Sequence, residues 1–267
     1  MKKLTISACM PIWNEQAYLP YSLYRLKQYT HLIDEFVFVL DRCTDKSEVM
    51  VRKAFPHAKI IVVSEREHQW KEKRPESFQI AFSHATKDII YSLAADIIVD
   101  PQMFLVPPRM YENDPSIGTI CFRYYNYTFP VGWTPLRRLH EEFENKYKSF
   151  IENIRKLARH SGCYCFRKDV MEELGGVTDF PSEYDEFFRR VEAHDYKHVY
   201  LSTTKILHLR PGLAEAKQKM QGRARVHISD YNLAKTLLHS FIHLKPHLIT
   251  SYIQEKRRVE LAEATKH

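Results

Sequence analysis

Through its first hundred residues the chain alternates short apolar runs with amphipathic segments of helical period. Leu4 to Met10 reads as a strand ended by Pro11, and Trp13-Asn14-Glu15 as the turn that follows. Tyr18 to Tyr29 sets Leu19, Leu23 and Leu26 on one helical face, with Pro20 tolerable because it falls in the first turn. Phe36 to Leu40 is a second strand, followed by the polar turn Asp41 to Ser47 and a helix over Ser47 to Phe55. Lys59 to Val63 predicts a third strand, Pro75 to Ala85 a helix and Ile89 to Leu93 a fourth strand. Strand and helix repeated at this spacing predict an α/β fold: a mostly parallel sheet with helices on both faces.

The second half changes character. Ile117 to Phe122 is strand-like, and Tyr124 to Phe129 is an aromatic ribbon leading to Trp133. Leu136 to Leu157 reads as a long charged helix with Leu139, Phe143, Phe150 and Ile154 inward. Cys163 to Phe166 has the alternation of a strand, Asp169 to Leu174 is a short helix, and Gly175-Gly176 stops it. A helix over Asp185 to Ala193 precedes two strand-like pieces, His198 to Leu201 and Ile206 to Leu209. Beyond Gly212 the chain is helical and basic, with Leu233, Leu237, Leu238 and Phe241 on one face, a break at Pro246 and the run Lys256-Arg257-Arg258. The expected organisation is one domain over residues 1–212 and a helical extension over 213–267.

Composition narrows the chemistry. A net charge of +7, from 40 Lys and Arg against 33 Asp and Glu, favours anionic ligands, but no nucleic-acid-binding motif accompanies it. The five cysteines are odd in number and scattered, as expected of buried free thiols in a reducing compartment. No apolar run approaches the ~20 residues that span a bilayer, and no cleavable leader pattern opens the chain, so a cytoplasmic location is expected. The seven glycines begin only at Gly118. Neither a dinucleotide fingerprint nor a phosphate loop can therefore follow the early strands, and a phosphorylated ligand there would need metal or cationic side chains.

Acids gather where the pattern ends its strands. Pro11-x-x-Asn14-Glu15 follows the first, Asp41-x-x-x-Asp45 the second and Asp96 the fourth. Open α/β sheets bind ligands beyond the carboxyl ends of their strands. Carboxylates crowded along one such edge are unfavourable unless a cation is held among them. Asp96 is the candidate ligand, and Asp100, before Pro101, the helix cap. Asp with His208 in oxygen-rich surroundings suits Mg²⁺ or Mn²⁺ better than structural zinc.

Taken together these motifs resemble the family 2 glycosyltransferases of GT-A fold. The family's P-x-x-N-E is matched by Pro11-Ile12-Trp13-Asn14-Glu15. Its V-D-D-G-S-T-D turn resembles Val39 to Asp45, with Asp41, Thr44 and Asp45 retained. Its G-K-x-x-A-x-N segment is degenerate, as Lys73 to Gln79. The metal motif D-A-D is similar to Ala94-Ala95-Asp96, with Ala94 in place of the first acid. Gly175-Gly176 through Glu183-Tyr184-Asp185-Glu186 resembles the acceptor-side region, and His208 the terminal histidine. The likeness runs from Leu4 to Pro211.

The resemblance implies an inverting transferase that moves a sugar from a nucleoside-diphosphate sugar to a hydroxyl of a glycan or lipid-linked acceptor. Asp41 would accept a hydrogen bond from the nucleobase, Pro11, Asn14 and Glu15 would line that pocket, and Arg74 would meet the donor. Ala94 and Asp96 belong to the donor loop, and Asp96 and His208 would hold Mg²⁺ or Mn²⁺. Asp185 would be the catalytic base, with Glu183 and Glu186 as rivals. A non-catalytic sugar- or nucleotide-binding relative is the alternative, favoured by the acid absent at Ala94. A sugar nucleotidyltransferase fits less well, because no glycine-rich loop follows the first strand. The basic C-terminal helices would pack as a cap or contact a membrane surface peripherally, at its inner face.

Overall fold

The computed structural model describes residues 3–65, 73–126, 163–180, 183–210, 215–227, 232–242 and 246–264, with isolated positions 139, 142 and 146. The aromatic ribbon beyond Asn126, Trp133 and most of the long helix expected over Leu136 to Leu157 lie outside the described residues.

The expected alternation is realised as β1 (Ile6–Ile12), α1 (Leu19–Lys27), β2 (Glu35–Asp41), α2 (Ser47–Ala54), β3 (Lys59–Val63), α3 (Lys73–Ser83) and β4 (Ile89–Ser92). There follow β5 (Ile97–Ile98), α4 (Gln102–Asn113), β6 (Ile117–Asn126), β7 (Tyr164–Arg167), α5 (Lys168–Glu173), α6 (Glu183–Ala193) and β8 (Lys197–His208). Three further helices follow among the described residues: α7 (Glu215–Val226), α8 (Leu233–Ile242) and α9 (Pro246–Ala264). The strands form one eight-stranded sheet in the order β3-β2-β1-β4-β7-β6-β8-β5. The block β3-β2-β1-β4 is parallel throughout, while β7 and β5 run antiparallel to their neighbours. The sheet is mixed, with its parallel block where the strand–helix alternation is most regular.

Side-chain alternation divides the core into two layers. Ala8, Met10, Phe38, Leu40, Ile89 and Tyr91 face the layer shared with α1, α2 and α4. Cys9, Val37, Val39 and Ile90 face the other, where Phe78 and Phe82 of α3 meet Tyr164, Phe166, Phe187 and Phe188. These rings pack edge-on or tilted, as in Phe82 edge-on against Phe166 at 4.9 Å between centroids, and each contributes about 1.5–3 kcal/mol by burial.

The structure corrects several expected boundaries. Pro11 does not end β1; it pairs with Val39 in the ladder, its missing N–H tolerated near the strand's last residues. The two pieces expected in 198–209 are one strand, β8, with a bulge against β6 near Arg123. The break expected at Pro246 is where a new helix begins: α8 ends at Ile242 and Pro246 opens α9. Helix α4 follows the cap expected at Asp100-Pro101 and runs through Pro107 and Pro108, with buried Met103, Phe104 and Tyr111 holding it to the sheet. Asp100 stands at its start as expected, accepting the Gln102 N–H at 2.8 Å.

Candidate active site

Parallel pairing of β2, β1 and β4 brings the acid-bearing loops to one edge, and the loops lock to one another. Asn14, in the left-handed region at φ 52°, accepts the Thr44 N–H through Oδ1 at 2.7 Å and donates to its hydroxyl at 3.1 Å. Ser47 Oγ accepts the Glu15 N–H at 2.8 Å, and Asp45 accepts the N–H groups of Gln16 at 3.0 Å and Ser47 at 2.9 Å. Asn14 and Asp45 thus join the β1 and β2 turns, a clamp that the turn sequences announce only as good capping residues.

One cluster is built from three distant segments. His208 ends β8 and pairs with Ile97 of β5, just after Asp96. The Leu209 N–H donates to the Asp96 carbonyl at 2.8 Å, fixing the two loops together. His208 Nε2 lies 3.3 Å from Asp96 Oδ2, and Arg210 Nε lies 3.0 Å from the same oxygen. The Arg210 guanidinium also donates to both Glu15 oxygens and stands over the Tyr18 ring, 5.3 Å from its centroid. Asp96 is 8% exposed. Burial pushes the Glu15 carboxyl up, Arg210 pulls it back down, and it settles at about 7. Asp96 and Glu15 together outweigh burial at Arg210, whose pKa is raised.

A second cluster forms around Asp41 at the end of β2. Arg42, also left-handed at φ 50°, turns back on it, with Nε 2.7 Å from Oδ1 and Nη2 3.1 Å from Oδ2. Ser77 Oγ of α3 donates to Oδ2 at 2.9 Å. The carboxylate expected to read a nucleobase is thus already engaged on both oxygens, and further hydrogen bonding must use their remaining lone pairs.

The third grouping joins α3 to α6. The Arg74 guanidinium stands 5.3 Å from the Phe78 ring centroid and 5.7 Å from that of Tyr184. Arg74 is thereby carried to the helix that bears Asp185, which is half-buried. Glu186 is tied elsewhere: Arg190 reaches it at 2.6 and 2.9 Å and the Thr178 hydroxyl at 2.9 Å. Arg190 also donates to the carbonyls of Leu174 at 2.5 Å and Gly176 at 2.6 Å. Gly175 and Gly176, at φ 73° and 78°, make the expected helix stop, and the Gly176 N–H closes on the Met171 carbonyl at 2.9 Å. The side chain of Glu183 lies outside the described residues.

The sequence reading missed Arg210, Arg42 and Ser77. Arg210 follows the strand-ending histidine by two residues and meets acids from two other loops, Glu15 and Asp96. Arg42 stands at the second position of a two-acid motif, a charge reversal that could have been recognised as a partner for Asp41.

Among the described residues no group of three or more His, Cys, Asp and Glu could hold a metal. Asp96 and His208 nevertheless fit a Mg²⁺ or Mn²⁺ ion that takes its other ligands from a diphosphate and water, the usual arrangement for such ions. Ala94, half-buried beside them, adds no ligand.

The glycosyl transferase family 2 model matches residues 7–175. Among curated proteins no sequence matches. The structure is similar to a mannosyltransferase from Pyrobaculum calidifontis in complex with GDP-Man and Mn²⁺, at 16% identity and TM-score 0.62, covering 94% of this chain and 70% of that one. It is also similar to glucosyl-3-phosphoglycerate synthase from Mycobacterium tuberculosis in complex with Mn²⁺, UDP and glucosyl-3-phosphoglycerate. There the identity is 18%, the TM-score 0.57 and the coverage 84% of this chain and 78% of that one. These likenesses bear out the GT-A, Rossmann-like sheet with C-terminal helices that the sequence leads one to expect. With the family model matched over more than half its length, the chain belongs to the family 2 glycosyltransferases.

Proposed function

We propose that the chain transfers a hexosyl group from a nucleoside-diphosphate sugar to an acceptor hydroxyl, inverting the anomeric centre. The observation that carries this reading is the Asp96–His208 pair, 3.3 Å apart where β4 and β8 end, with Arg210 alongside. Pro11, Asn14, Glu15 and Asp41 border the nucleoside, and Arg74 meets the donor from α3. Asp96 and His208 would hold the divalent cation, which when bound offsets the charge of the departing diphosphate. Asp185 takes the proton of the acceptor hydroxyl as that oxygen attacks the anomeric carbon and the nucleoside diphosphate leaves. Support for Asp185 over Glu186 comes from the latter's engagement with Arg190 and Thr178. The acceptor is a glycan or lipid-linked sugar and not a nucleic acid. Exposed Leu237 and Leu238 on α8 and the basic run Lys256-Arg257-Arg258 support peripheral contact with an anionic membrane at its cytoplasmic face.

The second reading is a non-catalytic nucleotide-sugar-binding relative, and Ala94 favours it. Incubation with UDP-, GDP- and CDP-hexoses plus Mn²⁺ separates the two. The enzyme releases nucleoside diphosphate, and Asp185→Asn binds the donor without releasing it. Donor binding by the wild type with no turnover on any acceptor tried would favour the binding protein.

A further inference from the structure

Arg210 is bound on several sides, by Glu15, Asp96 and Tyr18. Its guanidinium donates to both oxygens of Glu15, is ion-paired to Asp96 Oδ2 at 3.0 Å, and stands over Tyr18. The Asp96 oxygen it meets is the one 3.3 Å from His208 Nε2. A divalent cation bound between Asp96 and His208 would therefore confront a fixed positive charge on its own carboxylate. Ala94 supplies no second acid to tip the balance. Formal charges sharpen the point. Counting Asp96 and Glu15 as −1 each, Arg210 offsets one of the two carboxylate charges before any ion arrives.

We propose that Arg210 is the resident cation of this site, occupying Asp96 in the free protein and yielding it when a metal–nucleoside-diphosphate complex binds. The proposal rests on the nucleotide-sugar reading given above. Released from Asp96 but still held by Glu15 and Tyr18, the guanidinium is available to the diphosphate, whose planar oxygen pairs it matches in a bidentate manner. Metal and nucleotide then bind as a unit. Each raises the other's affinity by the same factor: the metal frees the guanidinium for the diphosphate, and the diphosphate draws the guanidinium off Asp96. Glu15 is accordingly a positioning residue: it keeps Arg210 at the site in both states.

The test is Mn²⁺ binding to the nucleotide-free protein, followed by the electron-paramagnetic-resonance signal of the free ion. Wild type binds Mn²⁺ weakly. Arg210→Met binds it at least about tenfold more tightly, the order expected from removing one like charge at this distance in a partly screened site. Adding Asp96→Asn to that variant abolishes the gain. Equal or weaker Mn²⁺ binding by Arg210→Met overturns the proposal, since Arg210 would then support the metal site. If circular dichroism shows Arg210→Met misfolded, Arg210→Gln removes the same charge with a polar side chain and is judged by the same criterion. UDP, GDP and CDP are titrated separately in calorimetry. Failure of all three to bind defeats the glycosyltransferase reading, whereas nucleotide binding without the Mn²⁺ gain defeats only the role given to Arg210.

Discussion

Replacing Arg190 by Met tests whether Glu186 serves structure instead of chemistry. The guanidinium makes four hydrogen bonds: two to Glu186, at 2.6 and 2.9 Å, and one each to the carbonyls of Leu174 and Gly176. Hydrogen bonds involving a charged group contribute about 1.5–3 kcal/mol each when desolvated, and these cannot simply be summed. Both side chains retain about a fifth of their exposure, 23% and 22%, so water replaces part of what is lost. Allowing for that, Arg190→Met costs about 3 kcal/mol, with the carboxylate of Glu186 left without its guanidinium as the larger part. At about 2–4 °C per kcal/mol for a chain of this size, the melting temperature falls by roughly 6–12 °C. Urea denaturation of Arg190→Met, Glu186→Gln and the double variant gives the coupling energy, expected at about 1 kcal/mol or more. Donor turnover per folded molecule in Glu186→Gln stays within about threefold of wild type, since that carboxylate is committed to the glycine corner. A loss below 1 kcal/mol with additive single effects, or a thousandfold drop in turnover for Glu186→Gln, would refute the reasoning and return Glu186 to the candidates for catalytic base.

Other outcomes follow from single positions. In Gly222→Ala, the added methyl meets the backbone carbonyl of Leu248 and the Ser251 hydroxyl where α7 crosses α9. Backbone cannot give way there, so overpacking of about 1–3 kcal/mol exceeds the gain in helix propensity, and thermal denaturation should show a lower melting temperature. Burial raises the thiols of Cys9 and Cys163 well above the usual range and that of Cys165 to about 12. Iodoacetamide at pH 8 should therefore label half-exposed Cys43 first in mass spectrometry, and fast labelling of Cys165 would contradict the packing of β7. Because the Glu15 pKa is raised in the folded state, to about 7, its contribution is fully present below about pH 4.5 and is lost as pH rises through 7. Urea denaturation from pH 4.5 to 8 should show wild type losing up to about 3 kcal/mol that Glu15→Gln does not lose, and parallel curves would contradict the burial of Glu15.

The parallel half of the fold was legible because its signals are local. Short, largely apolar runs over Phe36 to Leu40 and Ile89 to Leu93 have strand length and read as strands buried on both faces, and the polar turns between them mark the ladder ends. The start of α4 was legible in Asp100-Pro101, but its course was not: Pro107 and Pro108 interrupt the helical pattern, and the burial of Met103, Phe104 and Tyr111 carries the helix through them. The length of β8 was hidden because Ser202-Thr203-Thr204-Lys205 interrupts its apolar pattern, whereas pairing with β6 carries the strand through. At the site, Asp96 and His208 could be named from motif order, and they meet. Arg210 could not, because its importance lies in contacts with Glu15 and Asp96, which are 195 and 114 residues away in the chain. Spacing along a chain does not report such closures.

The central claim is that Asp96 and His208 form the metal-assisted seat of a nucleoside-diphosphate sugar. Isothermal titration of UDP-, GDP- and CDP-sugars into wild type, Asp96→Asn and His208→Ala, with Mn²⁺ and with EDTA, tests it most directly. The account predicts that wild type binds at least one donor, that EDTA weakens this binding, and that each variant weakens the Mn²⁺-supported binding by about tenfold or more. Donor binding of equal strength in wild type and both variants, unchanged by EDTA, would contradict it.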